Sequence, residues 1–117
     1  NKDKKFCDLL KKIFKKNDFI VETAYDGWET GKKVVQFQPT IIILDMTLPG
    51  INGIDVCKDI RYHELTKNIL IIAISGDLKY TEAEVLEAGA NAFFSKPVNF
   101  ENLLLLCREF IEDPKSQ

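Results

Sequence analysis

Two short, nearly unbroken aliphatic runs, Ile41-Ile42-Ile43-Leu44 and Ile69 through Ile74, constrain this chain more than any other feature. Branched aliphatics in runs of this length, bounded by polar residues, mark strands covered on both faces, as parallel sheets require. The segments around them carry helical spacing instead. Phe6, Leu9, Leu10, Ile13 and Phe14 fall at i, i+3, i+4, i+7 and i+8, and the other side of that helix is packed with lysine. The pattern predicts further helices from about Trp28 to Phe37, through Val56, Cys57 and Ile60 to near His63, and from Thr81 to Ala88 with Gly89 as its cap. A last helix starts after an N-capping Asn99 and runs through Ile111. Phe19–Ala24 and Ala92–Phe94 read as two more strands, the first suited to a sheet edge because it carries Glu22 and Thr23. The order is a helix, then strand–helix four times over. Such alternation with short loops means a parallel α/β sheet, right-handed crossovers and helices on both faces.

The 117 residues are 45% apolar, enough to fill the core of one domain, and contain no internal repeat. A net charge of −2 argues against broad nucleic-acid binding. No apolar run approaches the ~20 residues of a membrane span, and Asn1 to Lys5 is too polar for a signal peptide. Cys7, Cys57 and Cys107 have neither an even count nor metal-site spacing, so buried, reduced thiols in a cytoplasmic protein are expected.

In open parallel sheets ligands collect beyond the carboxyl ends of the strands. Three buried runs end there in reactive side chains: Asp45, Ser75 and Lys96. A carboxylate, a hydroxyl and an ammonium converging at one edge form an anion site, yet the carboxylate repels anions unless a cation intervenes. Oxygen ligands of this kind suit Mg²⁺. Asp45 could then attack phosphorus to give an aspartyl phosphate, with Lys96 and Mg²⁺ balancing the charge and Ser75 donating a hydrogen bond. The proposal requires the Lys96 amine to lie within about ten ångströms of the Asp45 carboxyl.

The same residues carry a family resemblance. Ile41–Gly53 (IIILDMTLPGING) resembles the signature around the phosphorylated aspartate of response regulator receiver domains, the switches of two-component signalling. Ile69–Gly76 (ILIIAISG) resembles the strand ending in that family's switch Ser/Thr, and Glu87–Pro97 (EAGANAFFSKP) the segment leading to its lysine and cis-proline. The resemblance spans the whole chain and implies a flavodoxin-like sheet with strand order 2-1-3-4-5. It also implies roles: Asp45 as phosphoacceptor and metal ligand, Thr47 as metal ligand through its backbone carbonyl, Ser75 as phosphoryl sensor, Lys96 as charge partner, Phe93 as the rotating switch aromatic and Pro97 as the cis-proline. Thr47 and Asp77 fall at the positions that tune the lifetime of the phosphorylated state. The implied partner is a sensor histidine kinase or a histidine phosphotransfer protein. A homodimer through helix 4, strand 5 and helix 5 is a further expectation, since Leu103 to Leu106 cover more than one helix face. The only catalysis implied is the domain's own phosphorylation and dephosphorylation, so it is not otherwise an enzyme.

One departure stands out. Receivers begin with a central strand ending in two metal-binding acids, and this sequence starts at or just after that point, so residues 1–112 read as a receiver without its first strand and 113–117 as a tail or linker. Roughly 8–12 upstream residues would supply the strand and the acids. Without them the chain should not make a stable monomer unaided. Asp3 and Asp8 are poor substitutes, being a helix-start residue and one turn into the helix. Two other functions remain open: a receiver-fold binding module that works unphosphorylated, and a small flavin or nucleotide enzyme. The second lacks a Gly- or Ser/Thr-rich phosphate loop after Leu44 or Ile74. Seven lysines between Lys2 and Lys16 read as a solvated face or a partner-docking surface, and the single histidine, His63, as a surface residue.

Overall fold

A computed structural model describes residues 2–48, 50–76 and 79–113. Five helices and three strands alternate: α1 (Lys2–Lys16), α2 (Gly27–Phe37), β1 (Ile41–Asp45), α3 (Gly53–Tyr62), β2 (Leu70–Ser75), α4 (Glu82–Ala88), β3 (Ala92–Ser95) and α5 (Phe100–Glu112). The strands form one parallel sheet in the order β1-β2-β3, with Asp45 opposite Ile74 and Ser75 opposite Ser95.

The aliphatic runs become strands because each residue finds cover. Every residue of β2 is buried, and its alternate side chains feed two cores. Ile71 and Ala73 join Leu44, Cys57, Ile60, Val85 and Ala88 under α3 and α4. Leu70, Ile72 and Ile74 join Phe14, Leu103 and Cys107 under α1 and α5. Helix starts are chemically marked. Asp26, Asn52 and Asn99 accept backbone N–H bonds as N-caps, and Thr81 with Glu84 forms a reciprocal capping box. Of the leucine run, Leu103 is buried and Leu105 exposed, as four consecutive helical positions demand. His63 is an exposed C-cap of α3. The cysteines are free; Cys57 and Cys107 are buried and Cys7 is half-buried.

Phe19–Ala24, read above as a strand, is not one. Its side chains keep the period of two, with Phe19 and Val21 half-buried and Ile20 and Glu22 exposed, but among the described residues no strand lies alongside it to complete a hydrogen-bonded ladder. Alternation records which face is covered; a ladder needs a neighbour's backbone. The Lys33 amine instead donates to the Thr23 carbonyl and pairs with Glu22 at 3.6 Å. Between this segment and the outer edge of β1 runs a groove of about 590 Å³, lined also by Cys7, Leu10 and Phe14 of α1.

At the amino ends of β2 and β3, Arg61 of α3 acts as a pin. Its guanidinium donates to the carbonyls of Gly89 (2.8 Å), Lys67 (2.9 Å) and Ile69 (2.7 Å), and to Asn91 Oδ1 (2.6 Å). Gly89 has φ +125°, and a Cβ there would lie 2.6 Å from Arg61 Cγ, so the turn after α4 needs glycine on both counts.

Candidate active site

Register brings the strand-ending residues together at the carboxyl edge. The Lys96 amide donates to the Ser75 carbonyl (2.9 Å) and the Met46 amide to the Ile74 carbonyl (2.7 Å), tying the three strand ends to one another. Above this floor stands the Asp45 side chain, only 11% exposed. The Lys96 ammonium donates to Asp45 Oδ2 at 2.7 Å. Thr47 donates twice to Oδ1, from its amide at 2.9 Å and its hydroxyl at 2.5 Å. Both carboxylate oxygens are therefore held, one by a cation and one by the turn that follows β1. The Lys96–Pro97 peptide is cis.

Ser75 is buried at the end of β2, 2% exposed. Phe93 is half-buried in β3 opposite Ala73 and packs against the core under α3 and α4. Asp77 lies outside the described residues. One participant escaped the sequence reading: Phe6 of α1, whose ring centroid lies 4.3 Å from Lys96 Nζ. On the sequence it was one more member of an apolar stripe.

A nearly buried carboxylate paired to an ammonium, at the carboxyl ends of a parallel sheet, is the kind of group that can attack an electrophilic centre. A family model described as the response regulator receiver domain matches residues 1–108. The chain belongs to the response regulator receiver family. It is 35% identical over 94 residues to response regulator ArlR of Staphylococcus aureus, covering 80% of this chain and 42% of that relative, so this receiver spans less than half of the regulator it matches. Its fold matches the signal receiver domain of a DNA-binding response regulator protein (merR) from Colwellia psychrerythraea 34H, with a TM-score of 0.86, 29% identity, and coverage of 95% of this chain and 93% of that one. At the level of fold alone it matches the receiver domain of sensor histidine kinase PA1611 from Pseudomonas aeruginosa PAO1, at 22% identity and a TM-score of 0.78 over 90% and 87% of the two chains. That structure carries a magnesium ion coordinated in the active-site cleft. The flavodoxin-like α/β class expected from the sequence is thus the class of this domain.

The receiver's own donors suit a hard cation. An Asp45 oxygen and the Thr47 carbonyl are oxygen ligands of the kind Mg²⁺ takes, and Mg²⁺ keeps most of its remaining positions for water and phosphate. Among the described residues no cluster of three metal-binding side chains exists. Asp8 is engaged elsewhere, accepting the Tyr25 hydroxyl at 3.1 Å. No described helix is long and apolar enough to cross a membrane.

Proposed function

We propose that this receiver is a phosphorylation switch with Asp45 as its acceptor. The observation that carries the reading is the Lys96–Asp45 contact on a carboxylate almost shut off from water. A carboxylate oxygen forms the new P–O bond as the P–N bond to a phosphohistidine breaks, its electron pair leaving on the imidazole of a sensor histidine kinase or phosphotransfer partner. Lys96 then moves from carboxylate to phosphoryl oxygen, and Ser75 donates its hydroxyl to another. Mg²⁺, held by Asp45 and Thr47, would supply further charge balance. Phe93, on β3 two residues before the partner of Ser75, would carry the change to the face formed by α4, β3 and α5, where a partner or second copy would bind. The seat of the switch is the cytoplasm.

The groove beside β1 supports a related reading. It has the place and apolar lining for one more parallel strand, which would give β1 and Phe19–Ala24 a shared neighbour and could end in the acids that complete the metal site.

Incubation with acetyl phosphate and Mg²⁺ should add about 80 Da to the protein and nothing to Asp45→Asn. An unmodified parent would instead favour a binding module that works unphosphorylated. That second reading has one observation behind it: no acidic cluster accompanies Asp45 among the described residues.

A further inference from the structure

We infer that Phe6 is a positioning residue for Lys96, its ring face holding the ammonium at the Asp45 carboxylate. The functional consequence rests on the phosphoacceptor reading; the placement does not.

Three contacts define the path of the Lys96 side chain. Its stem crosses Gly76, where a Cβ would stand 3.0 Å from Lys96 Cδ, so glycine leaves the passage open. Its head meets Asp45 Oδ2 at 2.7 Å on one side. On the other it lies 4.3 Å from the centroid of the Phe6 ring, well inside the ~6 Å reach of a cation–π contact. The ring is in turn backed by Phe100, the first residue of α5, with centroids 6.4 Å apart. Phe6 therefore stands between the first turns of two helices and the charged site.

A lysine has a flexible stem, and this one is 24% exposed, so the carboxylate alone would leave its head free to swing into water. The aromatic face blocks that exit without offering an acceptor atom. This matters for a charge that must change partners. A carbonyl or second carboxylate in the place of the ring would hold the ammonium by a directed bond. The π face attracts it from a range of positions, so the ammonium can pass its hydrogen bond from a carboxylate oxygen to a phosphoryl oxygen with no directed bond to the ring to break. The competing account makes Phe6 a packing residue of the α1 stripe and nothing more.

Variants of the intact protein separate the two accounts. Phe6→Leu keeps an apolar side chain and removes the π face; Phe6→Tyr keeps the face; Phe6→Met replaces the leucine variant should that one fail to fold. Without any phosphodonor, the Lys96 Cε protons should be shifted upfield by ring current in the parent and in Phe6→Tyr, and relax in Phe6→Leu. With acetyl phosphate and Mg²⁺, Phe6→Leu should be modified about five-fold more slowly than the parent, and Phe6→Tyr should stay within about two-fold. In a Lys96→Ala background, Phe6→Leu should slow the reaction no further. An unchanged Cε shift in Phe6→Leu, an unchanged rate, or the same loss with Lys96 absent would overturn the inference. A parent that takes no phosphoryl group, yet shows the Phe6-dependent shift, upholds the placement and defeats the phosphoacceptor reading alone.

Discussion

Each end of this sheet holds a long cationic side chain, and the two are built to opposite purposes. At the amino ends of β2 and β3, Arg61 makes four hydrogen bonds, three of them to backbone carbonyls. At the carboxyl ends, the Lys96 side chain makes one among the described residues, to a carboxylate, and otherwise rests against a ring. A planar fork that fills backbone acceptors in two separate segments, the turn before β2 and the turn after α4, cannot move unless both of them move. A point charge with a single directed partner can. Burial pushes the Arg61 guanidinium below its usual range, whereas Lys96 keeps a path to water. The same class of residue is thus a rivet at one end and a mobile charge at the other.

The largest expected effect comes from removing the rivet. Arg61→Met would strip the Lys67, Ile69 and Gly89 carbonyls and Asn91 of their charged donor and should cost about 3 kcal/mol of stability. Arg61→Lys should recover less than half of that, because an ammonium lacks the fork needed to reach every acceptor at once. Urea denaturation measures both. A lysine variant as stable as the parent would show that only charge, not shape, matters at this end, and the contrast between the two ends would lose its basis.

A somewhat smaller effect tests the packing that joins the ends. Cys107 lies fully buried on the inner face of α5, and burial pushes its thiol up to about 11 from an ordinary 9.0. The unfolded chain therefore sheds this proton first as pH rises. Stability from the thiol is complete below about pH 9 and is lost by about pH 11, amounting to about 2.7 kcal/mol. Cys107→Val should flatten that part of the alkaline decline in unfolding free energy. An identical decline in the valine variant would assign the loss to other groups.

Much of this was legible in the sequence, and the failures share a physical cause. The aliphatic runs gave β1 and β2 to within a residue, because burial on both faces leaves an unambiguous composition. The caps at Asn99 and Gly89 were readable because capping is local chemistry. Asp45, Ser75 and Lys96 could be picked out because each ends an apolar run, and the structure brings Asp45 and Lys96 into contact. What could not be read depends on partners distant in sequence. Arg61 looks like any polar residue of an amphipathic helix, since its acceptors are main-chain carbonyls with no signature of their own. Phe6 fits the α1 stripe so well that nothing singles it out for a lysine 90 residues away. Phe19–Ala24 has a strand's alternation, but alternation speaks of side chains and is silent on whether a backbone lies alongside.

The smallest effect on stability should come from the mobile charge. Lys96→Met removes an ion pair but leaves Asp45 Oδ1 with both Thr47 donors, and the carboxylate keeps some access to water. The lysine side of the pair is partly exposed and the carboxylate nearly buried, so its loss should cost about 1–2 kcal/mol, less than Arg61→Met, while modification by acetyl phosphate falls sharply. Lys96→Arg sharpens the point. It keeps the charge, yet its broad planar head must fit between a ring face and a carboxylate where a compact ammonium now sits. Stability should match the parent, and phosphorylation should stay low. If Lys96→Met proved as damaging to folding as Arg61→Met, Lys96 would be a second rivet, and a switch that relies on its movement would have nothing to move.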